Sequence, residues 1–161
     1  MADTYKFLIT GGAGYLGSVM VQELLERGHR VTAIDNLMFA QTSLAGVCHY
    51  PDFDFVNGDA RLAETMRPLV KDADVVVPLA ALVGAPMCDK SPMDAESINR
   101  DALLMLLDML STEQRVLLPI TNSGYGVGEA GKLCTEESPL RPVSLYGRLK
   151  VETEVRALER E

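Results

Sequence analysis

The sequence predicts a doubly wound α/β fold whose parallel sheet has the strand order 3-2-1-4-5. Five short apolar runs alternate along the chain with segments of helical periodicity, a pattern typical of strands joined by helical crossovers. The first run, Lys6–Thr10, leads directly into a turn at residues 11–17 that has three glycines spaced three apart. A chain of 161 residues is long enough for one domain with one core.

The turn at residues 11–17 is typical of a phosphate-binding loop. Gly11 allows a tight reversal, Gly14 lets the backbone approach a pyrophosphate, and Gly17 lets the following helix pack closely. The start of that helix presents N–H groups and the positive end of its dipole to a ligand. A glycine-rich turn that serves only a tight strand-to-helix connection is the alternative interpretation.

The remaining elements follow in chain order. The first helix is predicted to bury one apolar stripe, formed by Leu16, Val19, Met20 and Leu24. Further strands are predicted at residues 30–35, 53–56, 73–79 and 115–121. Residues 36–51 are predicted to be a loop with one helical turn, and Pro78 is predicted to close the fourth strand. Ser91 is predicted to cap a helix that begins at Pro92, and a final helix is predicted from Ser144 to the end.

Asp35 ends the second predicted strand, at the distance from the turn that a ribose-binding acid requires. In a βαβ unit this end lies beside the first turn, where a carboxylate accepts hydrogen bonds from an adenosine ribose. A carboxylate there repels a 2′-phosphate, which favours NAD over NADP. Asp59, Leu79 and Thr121 follow other strands, so five segments are predicted to meet at one edge of the sheet.

Tyr146 and Lys150 lie four residues apart in the final predicted helix, and therefore on one face, about 6 Å apart along the axis. An ammonium group and a positive nicotinamide ring beside a phenol stabilise the phenolate, and so lower the pKa of the tyrosine. This pair is a candidate base with its tuning residue. A chance pair on an exposed helix is the alternative.

Composition excludes several classes of partner. The net charge is -8 and the basic residues form no cluster, which argues against nucleic acid and an anionic membrane. The chain has no signal-like start and no apolar run near the roughly 18 residues of a membrane span. Cys48, Cys88 and Cys134 are odd in number and lack metal-ligand spacing, so we expect reduced thiols, buried packing, a cytoplasmic protein and no metal.

The helix predicted after Ser91 is apolar on most sides and must be covered on most sides. A neighbouring helix of the same chain and a second subunit are both possible covers. If a second subunit covers this helix, we expect a homodimer through the helices of residues 94–110 and 144–161.

Taken together, these motifs resemble the extended short-chain dehydrogenase/reductases, in particular the NAD-dependent nucleotide-sugar epimerase/dehydratase group. The resemblance spans nearly the whole chain. It is carried by residues 10–17 (Thr-Gly-Gly-Ala-Gly-Tyr-Leu-Gly), Asp35, Gly58-Asp59, Leu79-Ala80-Ala81, Asn99, residues 121–126 and Tyr146-x-x-x-Lys150.

The resemblance implies a Rossmann fold, NAD as the cofactor and a nucleotide-sugar substrate. Tyr146 would remove a proton from a sugar hydroxyl, Lys150 would bind the nicotinamide ribose and tune Tyr146, and Thr121 would hydrogen-bond the reacting oxygen. The implied cofactor-binding residues are Gly11, Gly14, Tyr15, Leu16, Gly17, Asp35, Asn36, Asp59, Ala60, Leu79, Ala80, Ala81, Asn99, Tyr146 and Lys150.

Two departures from the family pattern bear on the reaction. Asn122-Ser123 follow Thr121 where the dehydratases of the family carry an Asp-Glu pair, which disfavours 4,6-dehydration. Pro78 stands where a histidine is often found before the Leu-Ala-Ala run, and we have no physical account of its effect.

A third departure is where the chain ends, just after the Tyr/Lys helix. The expectation is a single NAD-binding domain, residues 1–161, without the C-terminal substrate part. The expected activity is oxidation of a ring hydroxyl, at C4, by a nucleotide-sugar epimerase. A nucleotide-sugar 4-dehydrogenase and a non-catalytic NAD-binding subunit are the alternatives.

Overall fold

The computed structural model describes residues 3–128, 131 and 133–159. Within these residues, five parallel strands form one sheet in the order β3-β2-β1-β4-β5, as the sequence predicted. The strands are β1 (Lys6–Thr10), β2 (Arg30–Asp35), β3 (Phe53–Asn57), β4 (Val75–Pro78) and β5 (Arg115–Val116). The predicted Rossmann fold is therefore confirmed.

Among the described residues, at least one α-helix follows each strand except β2, whose connection to β3 contains only a 3₁₀ turn. The α-helices are α1 (Tyr15–Glu26), α2 (Ala63–Asp72), α3 (Ala85–Lys90), α4 (Pro92–Glu96), α5 (Ala102–Met109) and α6 (Leu145–Leu158). Short 3₁₀ turns occupy Ala45–Val47 and Asn122–Tyr125, and a π-helical turn occupies Ser97–Asp101. The predicted helical turn in the loop of residues 36–51 is thus present.

The chain divides into two compact units. The first contains the chain up to Ala80 together with Met105–Pro119, and so holds the whole sheet with α1 and α2. The second contains Ala81–Leu104 and the chain from Ile120 onward, and so holds α3, α4 and α6.

The core of the first unit follows from strand alternation. Every second residue of β1, β2 and β4 points to the same face and is buried there with two residues of α1. These residues are Phe7, Ile9, Val31, Ala33, Val75, Val77, Val21 and Leu25. Parallel strands covered by helices are apolar along most of their length, and that pattern predicted β1, β2 and β4.

The apolar stripe predicted for α1 is only partly correct. The buried row is Gly17, Val21 and Leu25, whereas Leu16 and Val19 are exposed. Gly17 packs against the backbone of the preceding turn, and this close contact turns its own row of the helix toward the sheet. The backbone approach at a glycine, rather than the distribution of apolar side chains, therefore sets the rotation of α1.

Strand β5 is much shorter than the predicted strand at residues 115–121. The pairing of β4 with β5 covers two residue pairs, and a further hydrogen bond joins Leu117 N to Val76 O. Beyond this point Pro78 on β4 and Pro119 after β5 both lack the N–H that a ladder needs. Two prolines on neighbouring segments therefore end the pairing.

The start of the helix predicted after Ser91 also differs in detail from the prediction. Ser91 does precede α4 and Pro92 is its first residue, but the Ser91 hydroxyl donates to Asp94 Oδ2 at 2.7 Å. It does not accept from a backbone amide, so the predicted side-chain cap is wrong. The predicted single helix is in fact α4, the π-helical turn and α5 in succession.

The three cysteines do not share one environment. Cys88 is buried, but Cys48 and Cys134 are exposed, so buried packing is wrong for two of the three. In the part of the chain that the structure describes, none of the helices has the length and apolar character to cross a membrane. Histidine, cysteine and carboxylate side chains form no cluster suited to a metal in that same part.

Candidate functional site

The glycine turn after β1 depends on close backbone approaches. Gly11 has φ +68°, and a Cβ there would lie 2.7 Å from Ala80 N. A Cβ on Gly17 would lie 2.5 Å from Gly11 O, and one on Gly14 would lie 3.1 Å from the same oxygen. Real Cβ atoms do not approach a backbone oxygen at 2.5 Å, so Gly11 and Gly17 are required by the geometry.

The amides of the turn are aimed by hydrogen bonds within the chain. Gly11 N donates to Ile34 O at 2.8 Å, and Gly14 N donates to Gly11 O at 3.0 Å. Ser18 N donates to Gly14 O, so the amides of residues 15–17 lie in the first turn of α1, where a helix supplies no acceptor. The Tyr15 side chain is 93% exposed there and Leu16 is also exposed. This helix start is suited to an anionic group such as a pyrophosphate.

Asp35, at the end of β2, is bonded to the glycine turn. Its Oδ2 accepts from Ala13 N at 3.0 Å, and its Oδ1 accepts from Leu37 N at 2.8 Å. Each carboxylate oxygen has a second acceptor position, so Asp35 still has capacity for a ribose hydroxyl. The neighbouring Asn36 is exposed, and its Oδ1 accepts from Met38 N at 3.1 Å.

Asp59 follows β3 and forms a close ion pair that the sequence reasoning missed. Arg61 Nη2 donates to Asp59 Oδ2 at 2.6 Å, and Arg61 N donates to Oδ1 at 2.9 Å. These hydrogen bonds to Arg61 hold the pKa of Asp59 below its ordinary value. Ala60 lies between the two partners. The Asp-x-Arg spacing was the signal that could have revealed the pair.

The chain beyond β4 is tied to the end of β1. Leu79 N donates to Thr10 O at 3.0 Å, and Ala80 N donates to the buried Thr10 Oγ1 at 3.2 Å. Thr10 is a second residue that the sequence reasoning did not single out. It fixes the position of Leu79 and Ala80 at the same end of the strands as the glycine turn. Ala81 belongs to the second unit.

In the second unit, Asn99 holds the backbone of the segment after Ala81. Its Oδ1 accepts from Leu82 N at 2.8 Å, and its Nδ2 donates to Leu82 O at 2.9 Å and to Cys88 Sγ at 3.6 Å. Cys88 Sγ in turn lies 3.3 Å from Leu82 O, to which it donates. All three residues of this network are buried, so Asn99 supports the local structure of this unit.

Tyr146 and Lys150 lie on α6, whose first turn is capped by Ser144 Oγ accepting from Gly147 N at 3.0 Å. Tyr146 packs against a buried cluster that includes Leu82 and Cys88, and Lys150 is only 7% exposed. Burial raises the pKa of Tyr146 above its ordinary value, and the neighbouring Cys88 thiol adds to this rise. Burial lowers the pKa of Lys150. In the protein alone, the pKa of Tyr146 thus moves opposite to the predicted direction.

Thr121 caps the short 3₁₀ turn at Asn122–Tyr125. Its Oγ1 accepts from Ser123 N and donates to Ser123 Oγ, each at 3.2 Å. A Cβ on Gly147 would lie 2.9 Å from Ser123 O, so this turn packs directly on α6 next to Tyr146. Ser123 was not predicted as a site residue, although a Thr-x-Ser spacing is typical of such a cap.

Each unit thus brings part of the predicted set together. The first assembles the glycine turn, Asp35, Asp59 and the Leu79-Ala80 segment around the ends of neighbouring strands. The second assembles Asn99, the Thr121 turn, Tyr146 and Lys150 around α6. A parallel sheet with a glycine turn at a helix start defines a dinucleotide-binding class of protein.

Comparison with known proteins identifies the family within that class. The chain belongs to the NAD dependent epimerase/dehydratase family, whose model matches residues 7–160. The family is NAD-dependent, which confirms the predicted cofactor at the level of the family, and the predicted family resemblance is confirmed.

Individual relatives agree with this assignment. The chain is 38% identical over 151 residues to the low-salt glycan biosynthesis protein Agl12 of Haloferax volcanii, with 89% of this chain and 47% of that protein covered. It is 30% identical to the UDP-glucose 4-epimerase of Lactobacillus helveticus, with 91% and 44% covered. The structure of UDP-glucose 4-epimerase from Thermus thermophilus complexed with NAD superposes with a TM-score of 0.84 at 26% identity, covering 96% of this chain and 50% of that chain. The chain therefore spans about half the length of the proteins it matches.

Proposed function

We propose that this chain carries the NAD-binding and proton-transfer part of an enzyme that oxidises the C4 hydroxyl of a nucleotide-activated sugar, with 4-epimerisation as the net reaction. The observation that carries the proposal is the glycine turn held to Asp35 through Ala13, which suits a pyrophosphate beside an adenosine ribose. The relatives named UDP-glucose 4-epimerase support a UDP-sugar as the substrate.

The proposed cofactor contacts divide by the part of NAD they would hold. The glycine turn with Tyr15 and Leu16 would hold the pyrophosphate, Asp35 and Asn36 the adenosine ribose, and Asp59 with Ala60 the adenine edge. The middle and nicotinamide end would be held by Leu79, Ala80, Ala81, Asn99, Tyr146 and Lys150. Asp35 favours NAD because its carboxylate would repel a 2′-phosphate.

The proposed chemistry is removal of a proton and a hydride from one sugar carbon and its hydroxyl. Bound NAD would supply the redox chemistry, taking up the hydride from C4 and returning it to the opposite face of the ketone, so that epimerisation would leave the cofactor oxidised. Tyr146, as phenolate, takes the hydroxyl proton through Oη, and Thr121 Oγ1 hydrogen-bonds the reacting oxygen. Lys150 stabilises the phenolate by its positive charge. Asn122 and Ser123 supply no carboxylate after Thr121, which supports epimerisation over elimination of water.

The burial of Tyr146 explains why the positive charges of Lys150 and of the nicotinamide ring both matter to this proposal. A buried phenol ionises only if nearby positive charge outweighs the loss of solvation. For Tyr146 to act near neutral pH, its pKa must fall by about three units or more, which requires about 4 kcal/mol of differential stabilisation. Lys150 contributes one positive charge, and the nicotinamide ring of NAD supplies another.

We also propose that the chain forms a homodimer through the helices of residues 94–110 and 144–161. Val155 is 46% exposed and Leu158 is 72% exposed on α6, which supports an apolar contact there. Sedimentation velocity at micromolar concentration should show a dimer that Val155→Glu dissociates. A wild-type protein that sediments only as a monomer would contradict this part of the proposal.

The test combines binding with turnover. Calorimetry should show NAD binding, with NADP at least about tenfold weaker because of charge repulsion at Asp35. In the complete enzyme that contains this chain, interconversion of UDP-glucose and UDP-galactose, followed by NMR, should fall at least about 100-fold in Tyr146→Phe, while the matched variant Tyr50→Phe stays at the wild-type rate. Full activity in Tyr146→Phe would overturn the mechanism, and NAD binding without turnover would favour a non-catalytic NAD-binding subunit.

A further inference from the structure

The segment of residues 35–43 begins at the last residue of β2 and ends shortly before the 3₁₀ turn at Ala45–Val47. Both of its ends contact the glycine turn. At its beginning, Asp35 Oδ2 accepts from Ala13 N at 3.0 Å. At its end, Ser43 Oγ donates to Ala13 O at 2.7 Å. The two ends of this segment, residues 35–43, thus hold the two polar groups of one residue, and Ala13 itself is buried.

These contacts fix the peptide that leads into the helix start. The peptide between Ala13 and Gly14 is held at its C=O by Ser43 and at its N–H by Gly11 O, 3.0 Å away. Gly14 has no side chain to restrict its backbone, so rotation of this peptide is opposed mainly by these two bonds. This peptide leads directly into the first turn of α1, where Ser18 N donates to Gly14 O, so its orientation bears on how the free amides of that turn are presented.

The segment of residues 35–43 has two non-glycine residues with positive φ. Leu37 and Ala40 both have φ of 52°, a conformation that a Cβ disfavours, and Ala40 N donates to Leu37 O at 2.8 Å. Leu44 and Val47, which follow directly, are buried in the same apolar cluster as Ala13. Non-glycine residues in this conformation persist where the surroundings hold them, and Leu37 itself packs against this cluster.

We propose that Ser43 is a positioning residue of the pyrophosphate site: its hydroxyl fixes the Ala13 carbonyl so that the amides at the start of α1 face the phosphates. This inference rests on the proposed NAD-binding function and extends it to a residue outside the recognised motifs. The hydrogen bond of Ser43 is to the Ala13 carbonyl of the turn, so its role would be indirect. Its effect should therefore be confined to ligands that contain the pyrophosphate.

The experiment compares Ser43→Ala with Ser43→Thr, which keeps a hydroxyl, and with Thr42→Ala, an exposed neighbour, as the control. By calorimetry, NAD and ADP should bind about five- to tenfold more weakly to Ser43→Ala, since one hydrogen bond that orients the turn is lost. Ser43→Thr and Thr42→Ala should stay within about twofold of the wild-type affinity. Adenosine, which lacks phosphate, should bind all four proteins equally by NMR titration.

A second readout needs no ligand. Hydrogen exchange of the Gly14 amide should be about five- to tenfold faster in Ser43→Ala than in the wild type, because its peptide has lost one of two restraints. Unchanged exchange, or equal losses for ADP and adenosine, would overturn the positioning role. If the wild type binds neither NAD nor ADP, the proposed function fails instead, and the pyrophosphate role fails with it.

Discussion

The glycine turn of the first unit is shaped by backbone contacts, whereas the Tyr146 and Lys150 pair of the second unit is governed by burial. Gly11, Gly14 and Ala13 are each tied by hydrogen bonds within the chain. Tyr146 has a raised pKa and Lys150 a lowered one, so burial favours the uncharged form of both.

The two regions are therefore suited to different events. A turn whose amides are already oriented can accept an anion with little reorganisation. A buried phenol with a raised pKa stays protonated until a positive charge comes near it. On this account, the proposed base becomes active only with the cofactor in place.

The largest expected effect is that of a methyl group added to the turn. Gly17→Ala would place Cβ 2.5 Å from Gly11 O and 2.8 Å from Gly12 Cα. The clash should lower the free energy of unfolding by about 3 kcal/mol, measured by urea denaturation, and abolish NAD binding. Gly46→Ala is the matched control, because a Cβ there meets nothing within 4 Å. Equal stability of the two variants would show that the turn is not closely packed.

A smaller loss is expected in the second unit. Asn99→Ala leaves the buried N–H of Leu82 without a side-chain partner and leaves its C=O with Cys88 Sγ alone, which should cost about 2 kcal/mol in thermal or urea unfolding. Asn122→Ala, an exposed asparagine of the same unit, should change stability by less than about 0.5 kcal/mol. If Asn99→Ala is as stable as this control, the network around Leu82 does not hold the unit together.

The smallest expected effect concerns the ion pair between Arg61 and Asp59. Arg61→Gln should raise the pKa of Asp59 toward its ordinary value of 3.8, measured by NMR titration of the carboxyl carbon. Because the folded-state pKa is depressed, the stabilisation from Asp59 is present above its unfolded pKa and is lost as the pH falls through the folded value. Arg27→Gln, which removes an ion pair on α1, is the control. An Asp59 pKa unchanged in Arg61→Gln would contradict the pairing.

The elements that came correctly from the sequence are those with a strong local pattern. β1 and β2 are apolar runs bounded by the glycine turn and Asp35, and the alternation of strands and helices predicted the strand order. The family resemblance depended on the same motifs. In these segments the residue types that the backbone requires also form a recognisable pattern in the sequence, and the prediction succeeded for that reason.

What the sequence did not predict depends on contacts between distant segments. The short β5 follows from prolines on two neighbouring segments, which act together only once the register is known. The Ser43 contact to Ala13 joins residues 30 positions apart, and neither residue type carries a signal for it. The raised pKa of Tyr146 likewise depends on which side chains bury it, whereas residue spacing showed only that Lys150 shares its helix face.

The ionisation of Tyr146 shows most directly whether the proposed base depends on bound NAD. The chain has five tyrosines and no tryptophan, so absorbance at the phenolate band reports tyrosine alone, and the difference from Tyr146→Phe isolates one residue. In the protein alone, the pKa of Tyr146 should lie above its ordinary value of 10.0. Saturating NAD should lower that pKa by about three units or more, while ADP-ribose, which lacks the nicotinamide charge, should leave it nearly unchanged. A Tyr146 pKa below the ordinary value of 10.0 in the protein alone, or one that NAD does not lower, would contradict the account.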